Sequence, residues 1–419
     1  MSCDNRIIFH IDVNSAYLSW SAVDLIQHGF NIDIRDIPSA VGGDPVSRHG
    51  IILAKSIPAK KFNVQTGETL YSAFEKCPEL YVVSPQYDLY MRCSNAMNSI
   101  FKEYTPEIQR FSVDESFLNF TDMENLYPDY MKIAYEIKER IKRELGFTVS
   151  IGISNNKLLA KIASDIKKPD AVVTLFPDEI RQKMWPLPVE DLFMVGRATL
   201  PKLHNLNIYT IGDLANYDLN ILRNKLKSHG LMIWNYANGI EDSEVRKSNH
   251  IDIKGMGNST TISFDVDNRE EAHKVILSLC ETIGMRLRDS GNCCSLVAVH
   301  YRTNEFYSYG KQKKFHYHTD STKKICEEAK GLFDEIWKGE KIRHIGVRIS
   351  ELCSSEFYQT SLFDDKDIYK NQALDNVIDS IRMKFGSKAI FRATFLNSGM
   401  KPLMGGTGDD EYPAMTNIL

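Results

Sequence analysis

The sequence lacks the features of membrane, zinc-binding and disulfide-rich proteins. Charged residues interrupt every apolar stretch before it reaches the ~20 residues that a membrane-spanning helix needs, and the first residues have no signal-peptide core. The eight cysteines include no Cys-x-x-Cys pair, so neither a structural zinc site nor a disulfide framework is indicated. We therefore expect a cytoplasmic protein with reduced thiols.

A strong positive charge is also missing. The net charge is −4 over 419 residues, so any nucleic-acid binding would have to depend on local basic patches. Because 43% of the residues are hydrophobic, the composition is that of a globular protein and excludes disordered and collagen-like classes. At about 150 residues per domain, this length corresponds to roughly three domains.

Hydrophobic periodicity predicts an α+β protein with several domains. Residues 6–12 form a short apolar run that ends in an acid, which is typical of a buried strand. Isoleucine recurs every four positions in 131–145, which predicts a helix, and a strand at 147–154 precedes another helix at about 155–167. Residues 260–349 follow the order β-α-β-β-α-β, which indicates a separate domain.

Three acidic residues near predicted strand ends are candidate metal ligands. Asp12 ends the first strand, whereas Asp114 and Glu115 are adjacent and would converge only at a bend, since neighbours in a strand point to opposite faces. Converging carboxylates need cations, and their oxygens favour Mg²⁺ or Mn²⁺. Two such ions can clamp the attacking and leaving oxygens of a phosphoryl transfer. Taken singly, the adjacent Asp114 and Glu115 are more typical of a solvated surface, and Asp12 is also consistent with a turn or a helix cap.

The sequences around these acids resemble one protein family. In chain order the relevant segments are 11–17, 112–115, 152–163 and 343–349. They resemble the Y-family, or translesion, DNA polymerases over at least residues 6–350. The sequence Asp-Val-Asn at positions 12–14 is similar to that of the UmuC-type branch of the family, as in members from Gram-positive bacteria.

The resemblance implies an α+β multidomain fold with a right-hand-like palm, fingers and thumb. It also implies a little-finger domain with the order β-α-β-β-α-β. The implied boundaries are palm 1–22 and 78–175, fingers 23–77, helical thumb 176–243, DNA-binding little finger 246–350 and C-terminal tail 351–419.

The resemblance also implies a two-metal active site. By position, Asp12, Asp114 and Glu115 would be the catalytic carboxylates, and the backbone carbonyl of Val13 would add a ligand for two Mg²⁺ ions, with Mn²⁺ as a substitute. Their expected role is to activate the primer 3′-hydroxyl and to hold a dNTP for in-line attack at its α-phosphorus.

Sugar and phosphate recognition are implied at three further positions. Tyr17 matches the steric gate, whose ring excludes a ribose 2′-hydroxyl, although Ala16 stands where many relatives have an aromatic residue. Lys60 and Lys168 match basic residues that contact the triphosphate. Because a lysine is a point charge, Lys60 would grip less directionally than the arginine of some relatives.

Three other lysines carry no clear assignment. Lys157 and Lys161 lie four positions apart, a spacing that by itself is typical of a solvated helix face. The family resemblance leaves the roles of Lys55 and Lys161 open.

Two regions are implied to hold DNA. The segment 193–214 resembles a helix-hairpin-helix, whose backbone N–H groups bind phosphate, although Met194 and Asn207 replace its usual glycines and only Gly196 remains. In the little finger, the basic residues that could face the duplex are Arg302, Lys311, Lys313, Lys314, Arg343 and Arg348.

The acidic tail contains a candidate partner motif. Gln359, Leu362 and Phe363 resemble the bacterial sliding-clamp-binding peptide Gln-x-x-Leu-Phe, in which adjacent apolar side chains anchor in a pocket. A further helix is predicted at 372–385. Accessory mutagenesis subunits are conceivable partners, and no membrane partner is expected.

The leading hypothesis is a template-directed, low-fidelity translesion DNA polymerase that acts in DNA damage tolerance. One alternative is a non-catalytic DNA- and clamp-binding accessory factor of the same family. Another is a two-metal nuclease or nucleotidyl cyclase. Primer-template extension with single dNTPs separates the three.

Overall fold

The computed structural model describes most of the chain as two compact units. The first unit contains residues 6–43 and 51–246, and the second contains 253–403 together with Asp44, Arg48 and Gly50. The described residues are 6–44, 48, 50–246, 253–355, 368–386, 389–396, 399–400 and 402–403. Within them, no helix has both the length and the apolarity to cross a membrane.

The first unit contains a large five-stranded sheet and a small three-stranded sheet. Its strands are β1 (Ile8–Val13), β2 (Ser39–Gly42), β3 (Ile52–Lys55), β4 (Tyr81–Val83), β5 (Ile108–Arg110), β6 (Glu115–Asn119), β7 (Val149–Ser154) and β8 (Val172–Thr174). The large sheet has the order β5-β6-β1-β7-β8, with β1 antiparallel to both neighbours. The order of the small sheet is β3-β2-β4. Because β1 is central and fully buried, the residue at its end lies in the middle of the sheet edge.

The described part of the first unit also contains nine α-helices. They are α1 (Ala16–Gln27), α2 (Ile57–Lys61), α3 (Leu70–Lys76), α4 (Tyr87–Phe101), α5 (Tyr130–Leu145), α6 (Lys157–Ile166), α7 (Leu200–His204), α8 (Ile211–Ala215) and α9 (Leu219–Ala237), counted among the described residues. The predicted helices at 131–145 and 155–167 are confirmed as α5 and α6. Asp129 accepts a hydrogen bond from the Lys132 N–H at the start of α5, and Gly146 ends it at φ +77°.

Gly152 lets α6 pack directly on β7. A Cβ atom at this position would lie 1.9 Å from the carbonyl oxygen of Ala160 and 2.4 Å from the nitrogen of Ser164. No side chain fits at such distances, so only glycine permits this contact. The helix begins where the Asn156 side chain accepts a hydrogen bond from the Leu159 N–H.

The hairpin-like segment 193–214 has two residues in the left-handed backbone region. Met194 has φ +73° and Asn207 has φ +59°. These are the two positions where the related hairpin usually has glycine, so the structure supplies the reason for that preference. Gly196 is exposed, and its carbonyl oxygen accepts the N–H groups of Thr199 and Leu200 at the start of α7.

The second unit confirms the predicted β-α-β-β-α-β order. Its elements are β9 (Gly255–Val266), α10 (Arg269–Asp289), β10 (Asn292–Thr303), β11 (Ser308–Thr319), α11 (Thr322–Ile336) and β12 (Ile342–Ser354). The sheet is antiparallel with the order β11-β10-β12-β9. Val297 and Val299 belong to the core under the helices, whereas His300 and Arg302 point to the other face and are exposed.

A last helix, α12 (Ile368–Phe385), confirms the predicted C-terminal helix and packs through charged side chains. Glu281 of α10 is 2% exposed, and its carboxylate lies 3.1 Å from Arg382 Nη2 and 2.5 Å from Arg392 Nε. Arg288 Nε likewise lies 2.6 Å from Asp379 Oδ2. Ion pairs with little solvent around them therefore join α12 to α10.

Candidate active site

Asp12 and Glu115 face each other across two neighbouring strands. They are direct register partners in the antiparallel pair of β1 and β6. Directly opposed residues have their side chains on the same face of a sheet. The N–H of Val13 donates to the carbonyl oxygen of Asp114 at 3.1 Å, which keeps the next residue at the same edge.

Asp114 lies in the bend that the sequence requires. The Ser112 hydroxyl accepts N–H groups from Asp114 at 3.3 Å and from Glu115 at 3.0 Å. It also donates to Asp114 Oδ1 at 2.5 Å. This serine closes the turn between β5 and β6, and the predicted bend is confirmed.

Two lysines balance the acidic charges. Lys161 Nζ lies 2.6 Å from Glu115 Oε2. Lys168 Nζ contacts Asp12 Oδ2 and lies 2.7 Å from Asp165 Oδ1. The carboxylates of Glu115 and Asp12 are therefore paired with cations from α6 and the residues that follow it.

The interpretation of Lys157 as part of a solvated face was wrong. Lys157 is fully buried, and its ammonium donates to the carbonyl oxygen of Glu244 at 3.0 Å and to Gln109 Oε1 at 3.3 Å. Burial lowers its pKa to about 8. Because α6 meets β5 and residues 239–246 on this side, the helix has no solvated face there.

The pKa values of the three acids shift in different directions. Burial raises the pKa of Asp114 to about 6, helped by the charges of Asp12 and Glu115 and opposed by the Ser112 hydroxyl. It also raises the pKa of Asp12 against the pull of Lys168. For Glu115, burial by itself would raise the pKa, but His10 and Lys161 outweigh this effect and hold the pKa well below its usual range.

A cavity of about 920 Å³ opens beside these residues. Asp12, Val13, Asp114 and Tyr17 line it. The cavity wall also includes Lys55, Lys60, Lys168, Ser56, Thr66 and Arg35. Carboxylates, an aromatic ring and several cations thus surround a space of the size that small-molecule sites usually have.

Lys55 and Lys60 differ in exposure and in hydrogen bonding. Lys60 lies in the last turn of the short helix α2, is exposed and lines the cavity. Lys55 already donates to the carbonyl oxygen of Val64 and to Gln65 Oε1 at 3.2 Å. Of the two, Lys60 is the freer cation.

The donor chemistry fits a hard divalent cation. Asp12, Val13 and Asp114 line the cavity together, and carboxylate and carbonyl oxygens are the ligands that Mg²⁺ and Mn²⁺ prefer. Among the residues that the structure describes, no three His, Cys, Asp or Glu side chains already form a metal-binding cluster. Lys161 and Lys168 take up two of the carboxylates instead.

His10 is a residue of this site that the sequence reasoning missed. It is fully buried in β1, with Nδ1 2.8 Å from Ser164 Oγ and Nε2 3.5 Å from Glu115 Oε2. Burial lowers its pKa, with a further contribution from Lys161. The available signal was position, because residues two apart in a strand share a face and His10 precedes Asp12 by two.

The basic residues of the second unit do not share one face. Lys314 and Arg348 lie on the open face of the sheet, where both are exposed. Lys313 points to the helix side and pairs with Glu328 of α11 at 2.9 Å. The Arg343 guanidinium lies 5.4 Å from the ring centre of Phe306.

The predicted clamp-binding residues Gln359, Leu362 and Phe363 lie outside the described residues. The assignment of that segment stays a prediction from the sequence.

Comparison with known proteins identifies the family. Residues 11–165 match the impB/mucB/samB family model, and residues 253–362 match the C-terminal domain of that family. The HHH motif of the same group, described as the IMS family, matches residues 177–208.

Similar proteins extend along nearly the whole chain. A DNA polymerase IV of Clostridium acetobutylicum is 48% identical over 95% of this chain and 100% of that protein. A DNA polymerase IV of Acetivibrio thermocellus is 40% identical over 93% and 98%. DNA polymerase IV 2 of Bacillus subtilis is 34% identical over 94% and 95%.

The chain belongs to the Y family of DNA polymerases. It is a DNA-directed DNA polymerase of the translesion type, and the non-catalytic alternative is not supported. The fold agrees, since the structure of a Y-family DNA polymerase chimera, Dbh-Dpo4(243-245)-Dbh, matches with a TM-score of 0.68 at 20% identity and covers 83% of this chain and 99% of that one. The α+β multidomain fold with palm, fingers, thumb and little finger is therefore confirmed.

Proposed function

We propose that this polymerase extends a primer by two-metal nucleotidyl transfer at the cavity beside Asp12, Asp114 and Glu115. The observation that carries the proposal is the cross-strand pairing of Asp12 with Glu115 next to the bend of Asp114. These three carboxylates and the carbonyl of Val13 would hold two Mg²⁺ ions, with Mn²⁺ as a substitute. When bound, the ions supply charge neutralisation for the attacking and leaving oxygens.

The chain's own residues bind and orient the substrates. Lys60 and Lys168, which line the cavity, would hold the triphosphate of the incoming dNTP. The ring of Tyr17 would exclude a ribose 2′-hydroxyl from the same space. This division of roles leaves base selection to pairing with the template, which suits low-fidelity synthesis past damaged bases.

DNA contacts follow from exposure and charge. We assign duplex binding to Lys314, Arg343 and Arg348 of the second unit and to the backbone around Gly196 in the first. We keep the boundaries 1–22 with 78–175, 23–77, 176–243, 246–350 and 351–419 for palm, fingers, thumb, little finger and tail.

Partners and setting complete the proposal. Gln359, Leu362 and Phe363 would bind the bacterial sliding clamp, and replacing Leu362 and Phe363 by alanine should abolish clamp-stimulated synthesis without lowering basal synthesis. We propose that the enzyme is cytoplasmic and of the UmuC type. It would act in SOS mutagenesis and could bind accessory mutagenesis subunits. The relatives described above carry the name DNA polymerase IV, so the UmuC assignment depends on the Asp-Val-Asn form alone.

Primer extension tests the assigned site directly. Asp114→Ala should abolish dNTP addition, while affinity for primer-template DNA, measured by fluorescence anisotropy, stays close to that of the unmodified protein. Glu124→Ala, an exposed acid in the loop after β6, serves as the matched control and should extend normally. Continued synthesis by Asp114→Ala would rule out this metal site.

A further inference from the structure

The ring of Tyr17 stacks on a second tyrosine inside the protein. The centroids of the Tyr17 and Tyr90 rings are 4.4 Å apart, and their planes differ by 8°. Tyr87 closes another side, with its ring at 89° to that of Tyr17 and centroids 6.4 Å apart. Tyr17 lines the cavity, and its ring is therefore supported by residues of α4.

Tyr90 itself has little freedom to move. It is fully buried, and its hydroxyl oxygen lies 3.0 Å from Ser21 Oγ. Ser21 follows Tyr17 by four positions on α1, so both contacts of Tyr90 lie on one face of that helix. The Trp20 ring packs on it as well, at a centroid distance of 5.8 Å. Tyr90 therefore joins α4 to α1 through its ring and its hydroxyl.

A ring can exclude a ribose only if it does not move aside when the 2′-hydroxyl approaches. An unsupported tyrosine would relieve the collision by a rotamer change, which costs little. A close-packed ring behind it forbids that movement because protein interiors have no spare volume.

We infer that Tyr90 is a positioning residue that holds Tyr17 in place and so sets the discrimination between deoxyribonucleotides and ribonucleotides. The inference rests on the proposed role of Tyr17 as the steric gate. Tyr90 acts through Tyr17 and through no contact with the reacting atoms.

The test measures the ratio of kcat/KM for a dNTP to kcat/KM for the matching rNTP. Tyr90→Leu should lower this ratio about 2- to 10-fold, as expected for losing one aromatic pair, chiefly by improving rNTP use. Tyr90→Phe keeps the stacked ring and should retain the ratio. Phe101→Leu removes a fully buried ring from the same helix and should also retain it, which controls for a general loss of packing.

Tyr17→Ala separates failure of the inference from failure of the proposed gate. If Tyr17→Ala leaves the ratio unchanged, the gate assignment is wrong and the inference fails with it. If Tyr17→Ala lowers the ratio but Tyr90→Leu does not, only the inference is overturned. In the Tyr17→Ala background, Tyr90→Leu should have no further effect.

Protein stability is monitored in parallel. Thermal unfolding followed by circular dichroism identifies variants that fail to fold. Tyr90→Met places a longer, more adaptable side chain in the buried space and replaces Tyr90→Leu if the latter is unfolded. A ratio for Tyr90→Met equal to that of the unmodified enzyme would refute the inference.

Discussion

Lys168 and Asp12, 156 positions apart in the sequence, form an ion pair at the wall of the cavity. Asp12 is 8% exposed, so its charge depends on this partner. The pKa of Lys168 is raised by Asp12 and Asp165 against the effect of its own burial, and the ammonium remains charged at any physiological pH. The free enzyme thus carries a protein cation next to a carboxylate that we assign to metal binding.

Replacing this lysine should weaken nucleotide binding. Lys168→Met removes the cation proposed to hold the triphosphate, and a charged hydrogen bond of about 1.5–3 kcal/mol corresponds to roughly a 10- to 150-fold loss in kcat/KM for the dNTP. Steady-state extension kinetics measure it. Lys167→Met alters the neighbouring exposed lysine and should be nearly silent. Equal kinetics for both variants would contradict the assignment of Lys168.

The raised pKa of Asp114 makes stability depend on pH. The folded-state pKa is about 6, above the ordinary value of 3.8, so the folded state holds a proton more tightly and stability falls as pH rises from about 4 to 6. Above that window the cost is constant, at about 3 kcal/mol for a shift of about 2 units.

Asp114→Asn should remove this cost. In a chelator-containing buffer its melting temperature should exceed that of the unmodified enzyme at pH 7.5, and the difference should shrink towards pH 4. Added Mg²⁺ should stabilise only the unmodified enzyme, because the amide is a poorer ligand. A difference that does not change between pH 4 and pH 7.5 would show that Asp114 is not the titrating group.

Two adjacent lysines offer a matched test of DNA binding. Lys314 lies on the open face of its sheet, whereas Lys313 pairs with Glu328 on the helix side. Lys314→Ala should weaken duplex binding and reduce the slope of log K against log salt by about 0.9, as for one lost phosphate contact. Lys313→Ala should change neither quantity. Fluorescence anisotropy at several salt concentrations distinguishes them, and equal effects would reject the assignment to one face.

The charged contact under α12 should contribute to stability. Glu281→Gln leaves Arg382 and Arg392 without their buried carboxylate, and breaking such a pair costs about 3–5 kcal/mol. Urea unfolding should show a lower midpoint for the second unit. Glu327→Gln on α11 is the control, since its pair with Lys324 is long, at 4.0 Å, and partly solvated. A midpoint unchanged by Glu281→Gln would show that α12 docks by other means.

The regular elements could be predicted because their periodicity depends only on which face is buried. The helices at 131–145 and 155–167 and the order β-α-β-β-α-β are of this kind. The opposite orientations of Lys313 and Lys314 were also available from strand alternation, but they become visible only once the strand is located.

The site itself could be predicted in composition but not in arrangement. The register that pairs Asp12 with Glu115 depends on the tertiary fold, as does the meeting of Lys161 with Glu115. The burial of Lys157 was not predictable either. A four-residue spacing identifies one side of a helix, whereas residues far along the chain decide whether water reaches it.

The glycine at position 152 links backbone packing to the charge balance of the acids that we propose to be catalytic. Because the strand carries only a hydrogen atom there, α6 lies against it and brings the ammonium of Lys161 within 2.6 Å of Glu115. A single methyl group would push the helix outward and carry its cation away from the acid. In this polymerase, the charge balance around Glu115 thus depends on an interior contact that admits no side chain larger than a hydrogen atom.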